Sequence, residues 1–111
     1  MISNKITHLI TTIERGGAEK QLLTLTSEQV QSGLKVVVLY LKGKPDLRNE
    51  FEESGVEVND LLVGKSFLKQ IFLLSKYLRK NPSPVHAHLP KSELLAAVVI
   101  EKTAAYFKRI I

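Results

Sequence analysis

Three groups of residues in this sequence have the types and spacing that chemistry needs. The first is Gly16 and Gly17, followed by Glu19, in the stretch IERGGAEKQLLTL. Two adjacent glycines bare the backbone where an apolar run gives way to a helix-like pattern. Free N–H groups at a helix start, backed by the positive end of the helix dipole, attract anions such as phosphate. A side chain there would hold the anion off. The competing explanation is a helix start that needs unusual dihedrals, with Glu19 compensating the dipole. The second group is His86 and His88, two apart and therefore on one face of a strand. They are either buried or loop-anchoring histidines, or polar groups near a ligand edge. As a metal pair they lack a third ligand, so no metal is expected. His8 falls within another strand-like run and reads as structural. The third group is Lys65, Lys69, Lys76, Arg79 and Lys80, which share an arc of roughly 100° on a helical wheel. Phe67, Ile71, Leu74 and Leu78 cluster opposite. Such a stripe is either an ordinary solvated face or a surface for anionic lipid, worth about 1 kcal/mol per basic residue.

The elements that must position these groups follow from hydrophobic patterning. KITHLIT (5–11) is rich in β-branched residues and predicts a first strand. From Gly17, the residues Ala18, Leu22, Leu25 and Val30 fall near one helical face, Leu23 widens it, and Gly33 closes it. KVVVLYL (35–41) is a nearly unbroken apolar run, as suits a parallel strand covered on both faces. After the loop KGKPD comes a short helix with Leu47 and Phe51 inward, then Gly55 and a third strand, VEVNDLL. A second long helix spans 65–80 and stops at NPSP. VHAHL predicts a fourth strand, and Pro90 to about Tyr106 a last helix. Strands alternating with helices imply right-handed crossovers and a parallel sheet. The expected fold is α/β: a Rossmann-like parallel sheet with flanking helices and strand order 3-2-1-4. In such a sheet the loop after the first strand, 12–17, lies where ligands bind. The ending AAYFKRII neither caps its helix nor starts a clear next strand. Residues 1–111 thus read as a single incomplete Rossmann-like domain, with 101–111 diverging from the pattern.

Composition excludes several classes. The 111 residues, 44% hydrophobic and 24% charged, describe one globular domain. There is no cysteine, hence no disulfide and no thiolate metal site. The N-terminus shows no signal-peptide pattern, and the longest apolar run, Leu94–Ile100, is far short of the ~20 residues that span a bilayer. A net charge of +5 permits an anionic partner, while 6% aromatic residues and no recognition motif argue against nucleic acid. A dinucleotide fingerprint requires G-x-G-x-x-G and an acid after the second strand. Here the glycines are adjacent and Lys42 follows the strand. No P-loop is present either, so no cofactor is expected.

Three stretches in order, KITHLITTIERGGAEKQLLTLTSEQVQSGLKVVVLYL, LRNEFEESGVEV and NPSPVHAHLPKSELLAAV, resemble the N-terminal, acceptor-side domain of GT-B glycosyltransferases of family 4. The resemblance covers roughly residues 5 to 99. It implies a transferase moving a sugar from a nucleotide-sugar donor to an envelope or lipid-linked saccharide acceptor. On that resemblance Gly16 and Gly17 lie beneath the donor diphosphate, with Gly17 the closer contact. Glu19 and His86 are acceptor-side or site-supporting, and His88 is the candidate catalytic residue. Ser83 and Pro84 depart from the family's Asp and β-branched residue, and proline predicts a late or distorted fourth strand. The family's next histidine-bearing strand and its second domain, which holds nucleotide and sugar, do not appear. The resemblance therefore implies a truncated hexosyltransferase, inactive alone, cytoplasmic and peripheral at the inner face of the membrane. The alternative is a non-catalytic Rossmann-like module for an anionic partner or a partner subunit.

Overall fold

The computed structural model describes residues 4–88, 109 and 110. The elements run β1 (Lys5–Ile10), α1 (Gly17–Gln31), β2 (Lys35–Tyr40), α2 (Arg48–Glu53), β3 (Glu57–Asn59), α3 (Phe67–Lys80), β4 (Val85–His88) and β5 (Arg109–Ile110). All strand pairings are parallel, in the order β3-β2-β1-β4-β5. The Rossmann-like α/β fold and the 3-2-1-4 order are as the pattern predicts. The expectation that no strand follows near the chain end is corrected: Arg109 and Ile110 pair with Val85 and His86. Two residues carry no periodicity from which such a strand could be read. The helix expected from Pro90 to Tyr106 lies outside the described residues.

Each face of the sheet buries its own apolar cluster. Leu9, Val37, Leu39, Val85 and Ala87 pack against Leu74 and Leu78 of α3. Ile6, Ile10, Val36, Val38, Tyr40 and Val58 pack against Leu22 of α1 and Phe51 of α2. Buried on both faces, β1 and β2 leave no polar alternation, which is why β2 reads as a continuous apolar run.

The helix ends follow local chemistry. Gly33 and Gly55 both take positive φ, 95°, immediately after α1 and α2. After α1, the N–H groups of Gly33 and Leu34 donate to the carbonyls of Val30 and Gln29. This closing pair of bonds satisfies carbonyls that the helix leaves open. Gly55 and Val56 repeat the arrangement on Glu52 and Phe51. At the start of α3 the Ser66 side chain accepts from the Lys69 N–H, so this helix begins two residues later than expected. The third strand is shorter than expected, since Asn59 Oδ1 accepts the Leu61 N–H and turns the chain. β4 starts at Val85, as Pro84 requires. The Pro84 carbonyl still accepts from the Thr7 N–H at 3.0 Å, and Ser83 Oγ lies 2.6 Å from Thr7 Oγ1.

Candidate functional site

The β1–α1 loop, residues 11–16, reaches the α1 start from the C-terminal end of the central strand and is clamped to the loop after β2. Leu41 and Lys42 donate to the Thr11 carbonyl, and Leu47 donates to the Ile13 carbonyl. Glu14 Oε2 accepts the Lys44 N–H at 2.9 Å. Arg15 Nη2 meets Glu50 Oε2 at 2.8 Å, a bond that holds the Glu50 carboxyl below its ordinary pKa. This ties the α1 start to a second loop and limits its freedom to move.

The dihedral explanation for the double glycine does not hold. Gly16 is extended, with φ −148° and ψ 177°, a conformation open to any residue. Neither Gly16 nor Gly17 has positive φ. The two positions differ in their surroundings. A Cβ at Gly16 would lie 2.8 Å from Glu19 Oε1, whereas one at Gly17 would meet nothing within 4 Å. Glu19 Oε2 in turn accepts from Thr12 Oγ1 at 2.6 Å. The Glu19 carboxylate is thus folded back over Gly16, where it complements the helix dipole. The backbone at Gly17 is open.

α1 packs with Leu22, Leu23 and Val30 inward, as expected, but not with Ala18. Leu22 and Thr26 are its buried centre, and Ala18, placed inward by the pattern, is exposed. Ala18, Gln21, Leu22 and Leu25 instead line a cavity of about 270 Å³ together with His88. Thr26 is accommodated because its hydroxyl donates back to the Leu22 carbonyl at 2.9 Å.

His86 and His88 share one face of β4, as their spacing requires, and it is the face that α1 covers. Parallel register sets His8 of β1 opposite His86. His8 is fully buried, and its Nδ1 lies 2.9 Å from His88 Nε2. Its Nε2 lies 2.8 Å from Gln29 Oε1 on α1. An amide oxygen only accepts, so His8 donates through Nε2 and keeps its Nδ1 lone pair. The ring centroids of His86 and His88 are 3.9 Å apart, and those of His8 and His86 5.2 Å. Burial lowers His8 to about 4 against the opposing Gln29 bond, with His86 assisting. Burial likewise lowers His88 to about 4, helped by the other two rings, and lowers His86. Near neutral pH the group is therefore uncharged. The pair His86 and His88 lacks a third ligand in the sequence, and His8, which reads there as structural, supplies one. One nitrogen from each of the three rings lies within 4.8 Å of the others. Gln29 was also missed, since nothing in the α1 pattern marks it as the partner of a histidine.

The basic group lies on the other side of the sheet. Lys69, Lys76, Arg79 and Lys80 are exposed on α3, and Lys65 is exposed in the turn before it. Leu74 and Leu78 are buried, and Phe67 and Ile71 pack against the core, as expected. Two large apolar residues are exposed on the same helix: Leu68 at 79% and Phe72 at 63%. With Ile71, Ser75, Lys76 and Arg79 they line a broad concavity of about 520 Å³. No helix among the described residues is long and apolar enough to cross a membrane. No family model, no curated protein and no solved structure matches this chain.

Proposed function

We propose that the chain is the acceptor-side domain of a glycosyltransferase that moves a sugar from a nucleotide-sugar donor to an envelope or lipid-linked saccharide. The transfer needs a second domain to hold the nucleotide and the sugar. The observation that carries this reading is the bare backbone at Gly17. Its conformation does not require glycine and nothing among the described residues crowds it, yet it opens α1 at the C-terminal end of the central strand. In open α/β sheets that is where ligands sit. The α1 N–H groups would donate to the donor diphosphate, while Glu19 stays on Thr12 and leaves the Gly17 side clear. His86 and His88 would stand on the acceptor side, with His88 a neutral base at the cavity beside α1.

The test is donor turnover by the full chain reconstituted with a second-domain polypeptide. Gly17→Val should fold normally and lose roughly 10-fold to 100-fold in turnover, the loss of a charge-assisted backbone contact of about 1.5–3 kcal/mol. Gly17→Ala should lose less. Normal turnover by a folded Gly17→Val chain would remove the diphosphate from this site.

The exposed Leu68 and Phe72, set among Lys69, Lys76 and Arg79, favour a peripheral contact with an anionic membrane at its inner face. The same surface supports the second reading, a non-catalytic module that binds an anionic partner. A chain that binds anionic vesicles but restores no transfer with any second domain would favour that module.

A further inference from the structure

We propose that His8, His86 and His88 form a binding site for a divalent transition metal of the zinc class. The site is built by register: β1 and β4 are adjacent and parallel, and both project imidazoles onto the face that α1 covers. Elsewhere the core on this face is largely aliphatic, with Ile6 and Ile10 on β1 and Val36 and Val38 on the neighbouring β2. A hydrogen-bonded pair would account for His8 and His88 alone. His86 lies tilted against both rings yet, among the described residues, has no hydrogen-bond partner, so its ring nitrogens remain for another ligand.

The donor set suits the ion. Three imidazoles favour zinc, cobalt, nickel or copper over magnesium or calcium, which take oxygen. Zinc–nitrogen bonds of about 2.0–2.1 Å place tetrahedral ligand nitrogens roughly 3.3 Å apart. His8 Nδ1 and His88 Nε2, 2.9 Å apart, are within a few tenths of that. The widest separation, 4.8 Å, closes by rotation of the two less buried rings on β4. The Gln29 bond to His8 Nε2 fixes the tautomer that leaves Nδ1 for the metal, the usual task of an outer partner to a ligating histidine. On binding, His88 carries its ring proton on Nδ1 rather than Nε2, and no net proton is released. The cavity that His88 lines with Ala18, Gln21, Leu22 and Leu25 has room for water or a small ligand as a fourth partner. This site does not rest on the glycosyltransferase reading. A metal takes the His88 lone pair, so a catalytic His88 belongs to the metal-free chain.

The test titrates the chelator-treated full chain with Co²⁺ and then Zn²⁺. One equivalent of Co²⁺ should produce the visible absorption of a low-coordinate nitrogen site, Zn²⁺ should displace it, and the melting temperature should rise. His86→Gln and His88→Gln should each weaken binding more than about 100-fold, and Gln29→Leu by roughly 10-fold to 100-fold, with circular dichroism confirming the fold. Nitrogen-15 spectra of the unmodified chain provide a readout without mutation, because Zn²⁺ should shift the ring signals of all three histidines. Absence of Co²⁺ absorption and of ring shifts would overturn the site. So would unchanged affinity in a folded His86→Gln/His88→Gln chain, which would place the metal elsewhere.

Discussion

The Glu19 carboxylate lies directly over Gly16, so close that a Cβ there would come within 2.8 Å of Oε1, while Gly17 beside it faces open space. The two glycines therefore sit in different surroundings. At Gly16 an added methyl displaces only the end of a flexible side chain, at the cost of its bond to Thr12. At Gly17, the first residue of α1, alanine meets no contact and removes backbone entropy from the unfolded chain. Gly17→Ala should raise stability by about 0.4–1 kcal/mol. Gly16→Ala should lower it by roughly 0.5–1.5 kcal/mol through the weakened Thr12–Glu19 bond. Urea denaturation of both variants measures this. Destabilisation by Gly17→Ala would mean that the position needs glycine for folding, and would weaken the case for a ligand there.

How much of this was legible in the sequence depends on the range of the interactions involved. The sheet order, the closing glycines Gly33 and Gly55 and the core stripe of α3 follow from local periodicity and turn chemistry. The histidine group does not. His8 and His88 are 80 positions apart, and only the register of β1 against β4 brings them together. The spacing of His86 and His88 showed two rings on one face, but not which strand would lie alongside. Ala18 departs from the stripe because, at the first turn of the helix, it lines the cavity beside His88 instead of packing on the core. Phe72 escaped notice because it falls inside the basic arc rather than opposite it.

Gln70 is a buried polar residue whose side chain bridges two turns of the fold. Buried on α3, it donates through Nε2 to the carbonyls of Leu62 at 3.0 Å and Leu41 at 3.3 Å. It thereby joins α3 to the chain just beyond β2 and β3. Those carbonyls also accept from Lys65 and Gly64, each at 3.3 Å, so its removal weakens the junction without stripping it. Gln70→Leu keeps the volume and should cost about 1–3 kcal/mol in urea denaturation. A cost under about 0.5 kcal/mol, the range of neutral surface changes, would show that the apolar stripe of α3, Leu74 and Leu78 with Phe67 and Ile71, holds it without Gln70.

Acid should destabilise the metal-free chain earlier than carboxylate protonation would. His8 and His88 are held at about 4 by burial, below the ordinary value near 6.5. Among the described residues the titratable groups facing them on the sheet include each other and His86, and α1 contributes the neutral Gln29. Because their folded values are depressed, the unfolded chain binds more protons at intermediate pH. Stability is then complete above about pH 6.5 and falls as pH drops toward 4. The slope should approach about 1.4 kcal/mol per pH unit for the buried His8 and be smaller for the half-buried His88, where solvent screens the charge. With chelator present, denaturation midpoints between roughly pH 6.5 and 5, above the ordinary carboxylate range, give the measurement. A flat profile there would mean that the rings protonate in place, and His88→Gln should reduce the slope.

The surface of α3 should bind anionic vesicles through two separable contributions. Lys69, Lys76 and Arg79 contribute attraction that weakens with salt, because exposed charges are screened over about 10 Å at 0.1 M. At about 1 kcal/mol each, replacing all three with Gln should reduce binding roughly 100-fold. Phe72, 63% exposed among them, contributes an apolar share that salt does not screen. Phe72→Ser should therefore reduce binding by about 10-fold or more and leave the remainder more salt-sensitive. Both variants alter the exposed side of α3 and leave Leu74 and Leu78 in place, so melting should hardly change. Vesicle sedimentation at two salt concentrations separates the contributions. Equal binding to neutral and anionic vesicles would remove the basic residues from the contact. An unaltered salt dependence in Phe72→Ser would reduce the surface to a charged, solvated helix face.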